Sequence, residues 1–205
     1  MDVKIKEGKL IITHQLKRDE NYKIQTGKFN SVNIYKKPQL LKGMASYCED
    51  GKHVLFIDYD NVPRWLVEQD YKTLQEEYKL PRAYLFTTKE KEWNGDMVGN
   101  YHVICLAKFY PKEIYKIISK THADVNFMSM PLRRVYRNWV LRISTKKRRD
   151  RPKFIDLIGE QINNDCEISS AHYNFLKKIY PKINHSAWEN QDKLNKIFLQ
   201  EYEAT

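Results

Sequence analysis

The chain is poor in the residues that staple, hinge or anchor a fold. Its 205 residues include only three cysteines, Cys48, Cys105 and Cys166. They are widely spaced, without a C-x-x-C pair, which argues against a disulfide framework or a cysteine-rich zinc site. The sequence predicts reduced, mostly buried thiols in an intracellular, cytoplasmic protein. Seven glycines and seven prolines leave no flexible linker, and no repeat or low-complexity segment is present. No segment approaches the ~18 uncharged apolar residues of a membrane span, and residues 1–17 lack the continuous apolar region of a signal peptide. Neither secretion by such a signal nor membrane insertion is expected.

What is present is a folding composition with a localised charge. The hydrophobic share of 41% and aromatic share of 13% are too high for a disordered chain. At 24.6 kDa the length suits one domain, or one domain with an appendage. Lys and Arg number 36 and Asp and Glu 26, for a net charge of +10. Between Arg133 and Lys153 lie ten cations (Arg133, Arg134, Arg137, Arg142, Lys146, Lys147, Arg148, Arg149, Arg151 and Lys153) and one anion, Asp150. That stretch carries +9, and the remainder, with 26 cations and 25 anions, carries +1. A field this concentrated points to a polyanionic partner, nucleic acid first and anionic lipid second.

Hydrophobic patterning predicts short strands at Lys9 to Thr13 and Ser31 to Tyr35 and a short helix over Pro38 to Cys48. His53 to Asp58 is an apolar, β-branched run with acids at its end, the pattern of a central strand. A helix over Val62 to Lys79 follows, then strands at Ala83 to Thr87 and Tyr101 to Leu106 flanking a turn at Asn94-Gly95-Asp96, and a helix over Pro111 to Thr121. Val125 to Met130, Asn138 to Ser144 and Phe154 to Glu160 are expected as strands, and Ala171 to Ile179 and Ser186 to Tyr202 as amphipathic helices packing on the sheet. The β-α-β-β-α-β-β order predicts an α+β fold with a ferredoxin-like, split βαβ sheet.

Four features carry chemistry. Asp58-Tyr59-Asp60 closes the central strand, and the two-residue period places both carboxylates on one face, suited to one or two hard divalent ions. The competing reading makes Asp60-Asn61-Val62-Pro63 a turn and helix cap. His102 lies in an apolar strand. If Val103 and Cys105 face the core, it faces the other side, where imidazole binds a phosphate oxygen or moves a proton near neutral pH. A core histidine bonded to backbone is the alternative. Arg142, held on a strand and followed by Ser144, Thr145 and Lys146, is pre-organised for phosphate, against a paired structural arginine in a basic loop. Asp124 is a candidate third carboxylate or a turn residue.

In this order the features resemble the archaeo-eukaryotic primase superfamily, which includes primase-polymerases. The resemblance rests on Asp58-Tyr59-Asp60 at a strand end, Asn100-Tyr101-His102 on a later strand, Asp124, and Arg142-Ile143-Ser144-Thr145-Lys146. It covers Lys52 to Lys153, with Asn100 in place of the usual serine and no clean apolar-Asp strand end between His102 and Arg142. The resemblance implies a primase-like palm domain over residues 1–165, with its core at 52–153 and additional N-terminal strands, followed by a helical appendage over 166–205. It implies templated nucleotidyl transfer, as a DNA primase or polymerase in replication of a plasmid, virus or cellular genome. Asp58, Asp60 and Asp124 would hold Mg²⁺ or Mn²⁺. Asn100, His102, Arg142, Ser144 and Lys146 would contact the nucleoside triphosphate, with Asp58, Asp60 and His102 as catalytic residues. Arg133, Arg134, Arg137, Lys147, Arg148, Arg149 and Arg151 would track single-stranded or primed DNA, and Thr87, Thr88 and Lys89 would add phosphate or sugar contacts. A helicase or other replication proteins are implied partners, and no membrane.

Two other classes share part of the pattern. A PIN or NYN-type metal-dependent nuclease has a similar first acidic strand, but expects further acidic strand ends in a parallel sheet. A non-catalytic nucleic-acid-binding replication protein with a primase-like fold fits the same charge distribution. The sequence has no helicase P-loop, no helix-turn-helix and no paired histidines of a rolling-circle initiator.

Overall fold

The computed structural model describes residues 43–132, 138–145, 150–161, 166–186 and 188, together with the backbone of four N-terminal strands. These strands form two antiparallel hairpins, β1 (Asp2–Lys6) with β2 (Lys9–Thr13) and β3 (Tyr22–Gly27) with β4 (Asn30–Tyr35). The chain divides into two compact units, one of Met1–Met44 and Arg142–Pro152, the other of Ala45–Leu141 and Lys153–Thr205. Among the described residues no helix is long and apolar enough to cross a membrane.

After the short strand β5 (Gly43–Ala45), the second unit is built on β6 (His53–Pro63), helix α1 (Arg64–Tyr78), β7 (Ala83–Trp93), β8 (Asp96–Phe109) and helix α2 (Pro111–Ile118). A one-turn helix α3 (Val125–Met128), β9 (Val140–Arg142), β10 (Lys153–Ile158) and helix α4 (Ser170–Ile179) complete the described elements. The main sheet runs β10-β7-β8-β6, with every neighbouring pair antiparallel. Because β8 lies between β6 and β7, the β6-α1-β7 unit is a split βαβ, as the element order predicted. The last strand, β10, adds to β7 at the edge remote from β6. A ferredoxin sheet would place it beside the first strand, so the strand order departs from that arrangement.

The sheet is buried on both faces, which explains apolar runs without strict alternation. On one face, Tyr59 donates from its hydroxyl to Asp70 Oδ2 of α1 at 3.2 Å, and Val67, Tyr71 and Leu74 of α1 are buried at helical spacing. On the other, Phe56 meets His172 of α4 (ring centroids 6.1 Å), Phe86 meets Tyr180 (4.8 Å) and Tyr84 stacks on Trp188 (4.1 Å). The pairing of β6 with β8 shifts register near the end of β8. Leu55 pairs with Cys105 but Val54 with Lys108, and the displaced segment pairs through Ala107 with Ile168, just before α4.

The docking of α4 encloses two histidines. His172 Nδ1 lies 2.6 Å from Ser169 Oγ and its Nε2 2.8 Å from the Ala45 carbonyl, while His53 Nδ1 lies 2.9 Å from Ser46 Oγ. Burial, with the neighbouring His172, pushes the His53 pKa down against the opposing pull of Asp50; burial pushes His172 down despite its Ala45 bond. Neutral imidazoles therefore belong to the folded state. Their contribution to stability is complete above about pH 6.5 and is lost as pH falls below that value, before ordinary carboxylates titrate. The thermal midpoint is expected to fall between pH 7 and pH 5, with a shallower slope in His53→Gln, as calorimetry would show.

Three sequence expectations differ from the structure. Val125 to Met130 is not a strand: the Asp124 carboxylate caps α3, and Met130–Leu132 forms a 3₁₀ turn. Within Pro38 to Cys48, Gly43–Ala45 is a strand rather than helix. The strand expected over Asn138 to Ser144 is confined to Val140–Arg142. The helix expected over Ser186 to Tyr202 lies almost wholly outside the described residues.

Candidate functional site

Strand β6 delivers two acids to the end of a buried sheet. Tyr59, between them, is fully buried toward α1, while Asp58 is half-buried and Asp60 exposed, so the carboxylates emerge on the opposite face as the two-residue period requires. In the register of β6 and β8, Asp58 faces His102. His102 Nε2 lies 3.4 Å from Asp58 Oδ1, with the imidazole side chain 8% exposed and the carboxylate 25%.

The second acid is held by a β-bulge. Tyr59 pairs with Tyr101 and Val62 with Gly99, so Asp60 and Asn61 together oppose Asn100. Asn61 takes φ 58°, a left-handed conformation that asparagine tolerates better than most residues. The Asn100 amide spans the bulge: Nδ2 donates to Asp60 Oδ1, and Oδ1 accepts from the Asn61 N–H at 3.2 Å. This gives Asn100 a physical task. The helix-cap reading of Asp60 does not hold, because the residue preceding α1 is Pro63 and no side chain caps that helix.

The other candidates are placed as follows. Asp124 meets Asp58 through the backbone, its N–H donating to the Asp58 carbonyl at 2.8 Å. Its carboxylate accepts from the Asn126 and Phe127 N–H groups at 3.3 and 3.0 Å, which is the turn-residue role. Arg142 Nη1 donates to the carbonyls of Ser144 and, at 2.8 Å, Asp150, so the guanidinium organises its own loop. Arg142, Ser144 and Arg151 belong to the unit containing the N-terminal hairpins, whereas Asp58, Asp60, Asn100, His102 and Asp124 belong to the unit of the sheet. Arg133, Arg134, Arg137, Lys146, Lys147, Arg148 and Arg149 lie outside the described residues. The Thr87 hydroxyl donates to the Asn100 carbonyl at 3.3 Å, and Lys89 is exposed on the hairpin beyond.

The donor chemistry fits a hard divalent cation. Two carboxylates on one sheet face, with no thiol between them, suit Mg²⁺, which keeps several waters and takes one or two protein carboxylates plus substrate phosphate oxygens. Among the described residues no three His, Cys, Asp or Glu side chains gather at metal-binding range, so a cation here would rest on Asp58 and Asp60. None of the three cysteines is in a disulfide, and Cys48 and Cys166 are partly buried. Burial pushes the Cys105 pKa up to about 12, leaving a protonated thiol.

Sequence reasoning missed two polar constellations. One is the buried histidine pair behind α4. The other is Asp70, 8% exposed, which accepts from Tyr59 and from the His122 N–H at 2.8 Å and lies 3.0 Å from His122 Nδ1. Neither has a local motif: His53 and His172 are far apart in the chain, and Asp70 lies 11 residues from Tyr59 and 52 from His122. No protein-family model matches the chain, and no curated protein and no solved structure matches it.

Proposed function

We propose that the chain carries out nucleic-acid-templated nucleotidyl transfer, as a DNA primase or polymerase acting in replication. The observation that carries this reading is the pairing of Asp58 and Asp60 at the end of β6 with His102 and Asn100 on β8. The reaction needs a 3′ oxygen aligned with an α-phosphate and charge neutralisation on the transferring group. Bound Mg²⁺ or Mn²⁺ would supply Lewis-acid stabilisation of the phosphoryl oxygens. Asp58 and Asp60 would hold the cation, His102 would orient a phosphate oxygen through its ring N–H, and Asn100 fixes the bulge that aims Asp60. Asp124 would join them only if its carboxylate left the α3 cap. Arg142, Ser144 and Lys146 are assigned to nucleotide phosphates, and the basic segment to the DNA backbone, on the strength of the sequence resemblance and the +9 charge. The split βαβ sheet is compatible with a primase-like palm, with β10 on the other edge as its departure from ferredoxin order.

The second reading, a non-catalytic nucleic-acid-binding replication protein, is favoured by one observation: the Asp124 carboxylate is engaged as a helix cap. The antiparallel neighbours of the main sheet disfavour the nuclease reading, which expects a parallel sheet.

The test is synthesis on single-stranded and primed DNA with labelled deoxynucleotides and ribonucleotides and either metal. Product that requires template and metal is expected. Binding without product supports the non-catalytic reading, and metal-dependent degradation of the DNA supports the nuclease.

A further inference from the structure

Beyond the carboxylates, β7 and β8 continue as a two-stranded arm. Its Asn94-Gly95 turn has positive φ at both residues (51° and 84°), the requirement of a tight type I′ hairpin. At its base Thr88 is an extra residue in β7, and a Cβ on Gly99 would collide with the Lys89 carbonyl oxygen, so the strands close tightly there. The bulge also resets which β7 side chains share a face with His102 and Asn100.

The register assigns those faces. Lys89 pairs with Asn100, Lys91 with Val98 and Trp93 with Asp96, so these three share the face that carries Asn100 and His102. Glu90 pairs with Gly99 and Glu92 with Met97, on the other face. There the Tyr101 hydroxyl donates to Glu90 Oε1 at 2.8 Å. Lys89, Lys91 and Trp93 are exposed, Trp93 at 59%, and Lys91 Nζ stands 4.9 Å from the centre of the indole ring. The strip spans four residue steps of β8, about 13 Å at strand rise. With both glutamates turned away, this stretch of the face carries two lysines and a tryptophan against one acid, Asp96 at the turn, which matches a ligand that is anionic and carries planar rings. Single-stranded nucleic acid has both properties.

We propose that the arm is a rest for single-stranded nucleic acid, with Lys89 and Lys91 on the sugar-phosphate backbone and one base stacked on Trp93. The assignment rests on the proposed nucleotidyl-transfer reading for its direction, because the strip leads away from Asp58 and Asp60 along one face, where template or primer strand would pass. It does not depend on catalysis.

The test is fluorescence anisotropy of a labelled oligothymidylate at low salt with the full chain. Lys91→Ala/Trp93→Ala is expected to weaken binding by at least about tenfold, the scale of a lost base stack. Lys91→Ala alone is expected to make the log-affinity against log-salt slope shallower by about 0.7, one backbone phosphate on a single strand. Glu92→Gln on the opposite face is expected to bind within about twofold of wild type. In a Trp65→Phe background the oligonucleotide should quench tryptophan emission, and Trp93→Phe should remove that quenching. Unchanged affinity in the double variant overturns the proposal, as does an equal loss in Glu92→Gln. So does a Trp93-dependent self-association in sedimentation with oligonucleotide affinity unaffected, which would make the arm a contact between copies. The failures separate cleanly. Arm-dependent binding without nucleotide incorporation sinks polymerisation and keeps the strip, while incorporation with an indifferent arm does the reverse.

Discussion

Asp58→Asn and Asp60→Asn are each expected to lower templated incorporation by on the order of a thousandfold, with oligonucleotide affinity unchanged or slightly raised. The substitution keeps the shape of each side chain and removes only its charge. At Asp60 the remaining amide oxygen still accepts from Asn100 Nδ2, so the bulge at Asp60 and Asn61 is retained. Both positions are partly or fully exposed, so the thermal midpoint should move by no more than a few degrees, the range of about 1 kcal/mol in a chain of this size. Single-turnover extension with saturating DNA separates the chemical step from binding. Retention of wild-type incorporation by both variants would remove these carboxylates from the reaction.

Trp139→Ala is expected to cost about 3–5 kcal/mol of stability. The indole is fully buried, edge-to-face with His53 at 5.6 Å and with Tyr115 at 5.0 Å between ring centroids. Its carbonyl also accepts from the Ser46 N–H at 2.9 Å, tying the chain before β9 to the segment that enters β6. Removing the ring leaves a cavity behind the same histidine whose burial sets the expected pH response. Trp93→Ala, at an exposed position, is expected to change stability by less than about 0.5 kcal/mol. Urea denaturation of the pair checks both values, and equal midpoints would contradict the packing described for Trp139.

Legibility differed between local and long-range features. The apolar run ending in Asp58 and the Asn94-Gly95 turn announced β6 and the β7–β8 hairpin, because strand burial and positive-φ turns are written in adjacent residues. Period-two alternation set His102 on the face opposite Val103 and Cys105, but its pairing with Asp58 is fixed by the register of β6 and β8. Over helix α3, Val125 and Phe127 mimic strand alternation, while the deciding interaction is one capping carboxylate, Asp124. The edge taken by β10 is set by a chain crossover that alternation does not encode. Nor does a single strand reveal a bulge: the extra residues at Asp60–Asn61 and Thr88 appear only in the register against Asn100. For the same reason Lys91 and Trp93 were not associated with the acids. Their shared face depends on counting through Thr88.

On the proposed function, Asp58 and Asp60 form a divalent-metal site for nucleotide chemistry. An anomalous-scattering map of crystals soaked with Mn²⁺ and a non-hydrolysable nucleoside triphosphate tests it most directly. A manganese peak ligated by both carboxylates, with triphosphate density beside His102, is expected. Ordered nucleotide with no metal at Asp58 and Asp60, or manganese bound only elsewhere on the chain, would contradict it.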